Sequence, residues 1–151
     1  MEPVIDPSAR VLVVEDDLAN RVLLARLLER AGHTSTSAAD GRTALEQAAS
    51  GTADLVLLDL GLPDMDGLEV CRRLRREPAT SYLPIILVTG RADGEDFADG
   101  SAAGADDWIA KPYAYTTLVA TIERVLRRRL PSDGAMSPDL TGPVIRGAAD
   151  G

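Results

Sequence analysis

Apolar residues along this chain follow two alternating rhythms. Residues 11–14, 55–58 and 85–88 are short unbroken apolar runs rich in branched side chains, and 108–110 is a shorter one. Runs of this kind read as strands buried on both faces. Between them the apolar positions recur at helical spacing, as with Leu23, Leu24, Leu27 and Leu28, or Leu118, Ile122, Val125 and Leu126.

Local chemistry sets the boundaries. Residues 10–15 predict a strand, and 18–31 predict a helix that Gly32 stops. Residues 34–38, rich in Ser and Thr, predict a weaker strand. Asp40 is placed to cap a helix that runs to Ser50 and closes at Gly51. Residues 54–59 predict a third strand, and the turn-rich stretch 61–67 leads into a helix over 68–76. Pro84 is tolerated at the start of a strand over 84–89. A helix over 93–103 ends at Gly104, a fifth strand covers 107–110, and a last helix covers 113–130. Such alternation predicts an α/β domain over residues 10–130: a doubly wound, five-stranded parallel sheet with five helices on its two faces. The order 2-1-3-4-5 is a common one for these sheets and sets the first and third strands side by side at the switch point. Residues 1–9 read as a flexible lead-in and 131–151 as a flexible tail.

Each buried run stops at a polar residue: Glu15-Asp16-Asp17, Asp59, Thr89 and Lys111-Pro112. Parallel strands lay their carboxyl ends along one sheet edge, where α/β proteins bind ligands. Several carboxylates, a hydroxyl and an ammonium would then share one cleft. Two unit charges ~4 Å apart interact by about 4 kcal/mol at an effective dielectric near 20, so clustered carboxylates call for a cation. An all-oxygen site suits Mg²⁺, which keeps several waters and bridges to phosphate. The plainer reading is that acids at strand ends merely cap the next helix, and for Asp16 or Asp17 alone it would suffice. Beside such a cluster Lys111 suits an incoming phosphoryl oxygen, and Thr89 could bond the same group. Gly90 leaves room for a phosphoryl near the backbone, and a cis bond at Pro112 would aim Lys111 inward.

The net charge of −8 argues against direct nucleic-acid binding and against docking on anionic membrane. The one cysteine, Cys71, cannot form an internal disulfide and sits at helical spacing with Leu68 and Leu74, as a core residue would. The N-terminus lacks the features of a signal peptide, and no stretch is long enough to span a membrane, so a cytoplasmic location is expected. His33 reads as a loop residue, and Arg127-Arg128-Arg129 as the solvated end of the last helix.

These residues resemble a family. The motifs VLVVEDD, DLVLLDLGLPDMDG, LPIILVTG and GADDWIAKPY, in this order, are similar to the receiver domain of bacterial two-component response regulators, a CheY-like, flavodoxin-like fold. The resemblance implies that Asp59 is the phosphoacceptor for a histidine kinase or histidine phosphotransfer protein. It implies that Asp16 and Asp59 ligate Mg²⁺ with the Gly61 backbone carbonyl, and Glu15 through water. Asp17 falls one position beyond the family's acidic pair. Lys111 would contact the phosphoryl, and Thr89 would move toward it. Trp108 stands where the family has a switching Tyr or Phe. Switching would reshape the surface of the fourth helix, fifth strand and fifth helix for a downstream protein partner, with homodimerisation there a further option. The two glycines and three acids of residues 94–100 predict a poorly formed, mobile helix that carries much of the response.

The resemblance implies no enzyme acting on an external substrate, only self-catalysed phosphoryl transfer and slow hydrolysis. About 20 residues after the domain leave no room for an output domain, so a stand-alone receiver or one cut from a longer regulator is expected. A pseudo-receiver adaptor working without phosphorylation is one alternative. A phosphatase of the haloacid dehalogenase type is another, but it wants a second Asp where this chain has Gly61.

Overall fold

Strands and helices alternate strictly: β1 (Arg10–Val14), α1 (Leu18–Arg30), β2 (Thr34–Ala38), α2 (Gly41–Ala49), β3 (Leu55–Leu58), α3 (Gly67–Arg76), β4 (Ile85–Thr89), α4 (Gly94–Ala103), β5 (Asp107–Ala110) and α5 (Tyr115–Arg129). The computed structural model describes residues 8–90 and 94–129, and the side chains of 94–97 and 129 fall outside that description. The lead-in before Ser8, the helix start at Asp93 and the tail 131–151 lie outside the described residues. All strands are parallel, in the order β2-β1-β3-β4-β5. Among the described residues no helix is long and apolar enough to cross a membrane.

Strand side chains alternate between faces, and each central strand feeds two cores. Leu12, Val14, Val56, Leu58, Ile85 and Leu87 pack under α2, α3 and α4. Val11, Val13, Leu55, Leu57, Ile86, Val88 and Ile109 pack under α1 and α5. This two-sided burial is why the central strands read as unbroken apolar runs. β2 is an edge strand with only Ala38 buried, which accounts for its Ser and Thr content.

Side chains cap the helices. Asp17 accepts from the Asn20 N–H, Asp40 from Thr43 and Asp66 from Leu68. Gly32 and Gly51, at φ 92° and 80°, take the left-handed turn after α1 and α2 that other residues adopt at a cost.

Four expectations need correction. Leu23 is 50% exposed, because the buried stripe of α1 runs through Leu24 and Leu28, about 100° away around the helix. His33 is a loop residue, as expected, and its buried ring accepts the Ala9 N–H at Nδ1 at 3.0 Å. Ala9 is therefore core rather than lead-in. α5 begins at Tyr115, not Tyr113. Finally, α4 is one continuous ten-residue helix despite its glycines. Gly100 faces the sheet so closely that a Cβ there would lie 2.6 Å from Leu87 Cδ1, so tertiary packing offsets the low helix propensity.

Candidate functional site

The ladder hydrogen bonds continue one step past the apolar runs and so position the acids. The Glu15 N–H donates to Ala38 O, and the Asp59 N–H to Val14 O, each at 3.0 Å. Glu15 is 3% exposed, Asp59 is half-buried and Asp16 is exposed. Carboxylate oxygens of these three residues lie within 4.8 Å of one another. The Lys111 N–H donates to Thr89 O at 2.9 Å, which seats that lysine beside the end of β4. Its ammonium donates to Glu15 Oε1 and to Asp59 Oδ2, both at 3.1 Å. The second Asp59 oxygen, Oδ1, accepts the Gly61 N–H at 3.1 Å. Both oxygens of Asp59 are therefore held, one by a charge and one by a main-chain amide.

Electrostatics follow from this packing. Burial pushes the Glu15 carboxyl up, and the nearby Asp59 charge adds to it, against the Asp17 N–H and Lys111. Burial would lower Lys111, but its hydrogen bonds to Asp59 and Glu15 outweigh this and raise it, so it stays charged. Three carboxylates share the site with one ammonium, and a divalent cation would balance the excess negative charge. The donor set is all oxygen, with the open side at exposed Asp16, which fits Mg²⁺.

The remaining residues proposed from sequence divide. Thr89 is buried at the end of β4, and Gly90 is exposed with open space where a Cβ would stand. The Lys111–Pro112 peptide bond is cis. Trp108 is half-buried, packs on the α2–α3–α4 core and pairs in register with Leu87. Thr89 follows Leu87 by two residues and so shares the sheet face of Trp108. Asp17 does not join the acidic group: it caps α1, and its N–H donates to Glu15 Oε2 at 3.0 Å. Arg124 and Arg128 both pair with Asp107, at 3.0 and 3.4 Å, so the basic end of α5 is partly tied to β5 while Arg127 is exposed.

Sequence reasoning missed three residues. Gly67 begins α3 so close to the strand end that a Cβ would lie 2.5 Å from Asp59 O. The Asp64 carboxylate accepts the Gly41 and Arg42 N–H groups at 2.8 and 3.0 Å, which latches the loop after Asp59 to the start of α2. Arg21 Nη1 donates to Glu15 O and Asp16 O at 2.9 and 3.0 Å. Gly67 leaves a signal in the Asp-Gly turn, but the other two act across loops, with no period or spacing to mark them.

Comparison with known proteins meets this geometry. A family model for the response regulator receiver domain matches residues 11–123. The response regulator MprA of Mycolicibacterium vanbaalenii is 45% identical over 126 residues, which is 83% of this chain and 54% of the relative. MprA of Mycobacterium bovis is 43% identical over 145 residues, 92% of this chain and 62% of the relative. The chain thus spans little more than half the length of these curated relatives. Among solved structures, the receiver domain of the sensor histidine kinase PA1611 of Pseudomonas aeruginosa, with magnesium in its active-site cleft, has a TM-score of 0.74 at 30% identity. It covers 80% of this chain and 99% of its own. The chemotaxis protein CheY4 of Vibrio cholerae has a TM-score of 0.74 at 34% identity over 79% and 99%. The match runs through the strands that carry Glu15, Asp16, Asp59 and Thr89, and the chain belongs to the response regulator receiver domain family of two-component systems.

Proposed function

We propose that Asp59 is the phosphoacceptor of a two-component phosphorelay. The observation that carries this reading is the setting of its carboxylate: gripped by Lys111 and the Gly61 amide, within reach of Glu15 and Asp16. A carboxylate oxygen of Asp59 attacks the phosphorus of a phosphohistidine on a histidine kinase or phosphotransfer protein. The P–O bond forms as the P–N bond breaks, and the electron pair leaves with the imidazole. Glu15 through water, Asp16, Asp59 and the Gly61 carbonyl would hold Mg²⁺, which when bound supplies positive charge against the phosphoryl oxygens. The magnesium in the cleft of the PA1611 receiver domain supports that assignment. Lys111 exchanges its bond to Asp59 for one to a phosphoryl oxygen, and the open space at Gly90 admits the group.

The product carries about two negative charges where one stood. Thr89 turns toward the added oxygens, and Trp108, on the same sheet face, follows. The surface of α4, β5 and α5 then changes shape for a downstream protein or a second copy of the chain. The domain acts in the cytoplasm, transfers and hydrolyses only its own phosphoryl group, and turns over no external substrate.

The test is incubation with Mg²⁺ and a small acyl phosphate, read by intact mass. Wild type gains one phosphoryl mass and Asp59→Asn gains none. A wild type that stays unmodified, or an Asp59→Asn protein that is modified equally, overturns the assignment.

A further inference from the structure

Arg21 takes no part in the chemistry above, yet it reaches the acidic loop. It lies in the first turn of α1, where its N–H donates to Asp17 O at 3.0 Å. Its side chain then folds back, and Nη1 donates to Glu15 O at 2.9 Å and to Asp16 O at 3.0 Å. Those carbonyls belong to two of the three residues whose carboxylates cluster. The peptide planes after Glu15 and Asp16 are thereby tied to a helix that is itself anchored in the core by Leu24 and Leu28. Asp16 needs such support most, being an exposed side chain on a short connection.

We propose that Arg21 is a positioning residue for the cation site: it fixes the backbone at 15–16 and so the direction from which Asp16 meets Asp59. This inference rests on the Mg²⁺ site assigned above. Charge and geometry act in opposite directions here. A guanidinium beside the site repels a divalent cation, so charge alone makes its removal tighten binding. Positioning makes its removal loosen binding. Groups that orient metal ligands typically change affinity by about 10- to 100-fold when lost, whereas a partly exposed charge is screened by salt. The positioning effect therefore dominates.

The experiment is calorimetric titration of the full chain with Mg²⁺, without phosphodonor. Arg21→Met keeps length and helix propensity but removes donor and charge, and its affinity falls about tenfold. Arg21→Lys presents one nitrogen with three protons, enough for both carbonyls that Nη1 now serves, and restores most of the affinity. Melting without Mg²⁺ stays near wild type for both. If Arg21→Met melts too low for titration, the rise in melting temperature at saturating Mg²⁺ reads the same binding, and it is smaller than in wild type. Equal or tighter binding by Arg21→Met, or an equal or larger Mg²⁺-induced rise, overturns the role of Arg21. No recovery in Arg21→Lys overturns it too. A wild type that does not bind Mg²⁺ at all instead sinks the cation site, whatever the variants do.

Discussion

Burial decides what Cys71 can do. Its Sγ donates to Ala103 O at 3.4 Å, and burial pushes the thiol up to about 11. Because only the thiolate reacts quickly, native protein at pH 8 should resist a thiol-labelling reagent and react at once when unfolded. Rapid native labelling would contradict the packing. Asp64 shows the opposite case. Hydrogen bonds from the Gly41 and Arg42 N–H groups hold its carboxyl below the usual carboxylate range. A depressed folded value means that its contribution is present above the unfolded value of about 4 and is lost as pH falls through the folded one. Asp64→Asn should therefore melt below wild type at pH 7, and the gap should close toward pH 3. A gap that stays constant would show that charge plays no part in the latch. At this scale, Glu15, Asp16, Asp59 and Lys111 were legible because each follows a strand-like run, and the fold carries strand ends to one edge. Asp64 and Arg21 were not, because a side chain bonding to distant main chain has no sequence period. Position after the strand alone does not separate Asp17 from Asp16; the family resemblance set Asp17 outside the acidic pair, and the helix start shows that it caps α1.

Adjacent acids at the base of β5 are clamped to opposite faces. Asp106 Oδ2 accepts from Arg75 Nη2 at 2.9 Å and from the Ile85 N–H at 2.8 Å, while Asp107 pairs with Arg124 and Arg128 on α5. Arg75 also donates to Gly104 O, Ser81 O and Leu83 O, so one guanidinium joins α3 to the starts of β4 and β5. Both partners of the Arg75–Asp106 pair are under 20% exposed, and removing one side of a buried pair typically costs about 3 kcal/mol or more. Arg124 is about half exposed, and such surface pairs contribute about 0–1 kcal/mol. Urea unfolding should therefore rank Arg75→Leu well below Arg124→Ala in stability, and equal losses would refute the distinction drawn from burial. Element types agree with the sequence reading because Gly32, Gly51 and Gly104 stop α1, α2 and α4 before the next strand, whereas the strand order is the one common to such sheets rather than one read from these residues. The sequence reading failed where tertiary contact overrides local preference. Leu23 belongs to a four-leucine pattern of which α1 buries only part, and Gly100 sits where α4 packs so close to Leu87 that a Cβ would clash.

The whole molecule is a sheet with a charged upper edge, and in the function proposed above a signal travels from Asp59 across that edge to α4 and α5. Trp108 is placed to register it. It is the single tryptophan of the chain, half-buried, on the sheet face shared by Leu87 and Thr89. Beside it, beneath α4, is a solvent-open pocket of about 170 Å³ lined by Leu87, Gly100, Ser101, Ala105, Asp106, Asp107 and Trp108. If Thr89 turns toward a phosphoryl group as proposed, that space gives the indole room to move, and Gly100 keeps it available. A Cβ at position 100 would meet Leu87 Cδ1 at 2.6 Å, so Gly100→Ala forces Leu87 toward the pocket or lifts α4 from the sheet. Neither change touches Glu15, Asp16, Asp59 or Lys111. Wild type and Gly100→Ala should therefore gain phosphoryl mass equally with Mg²⁺ and an acyl phosphate. Their fluorescence should differ: wild-type emission shifts to shorter wavelength as the ring is buried, and the shift is reduced in Gly100→Ala. If fully phosphorylated wild type leaves the emission unchanged, Trp108 is a static core residue. If Gly100→Ala shows the full shift, the pocket under α4 is not the route that the ring takes.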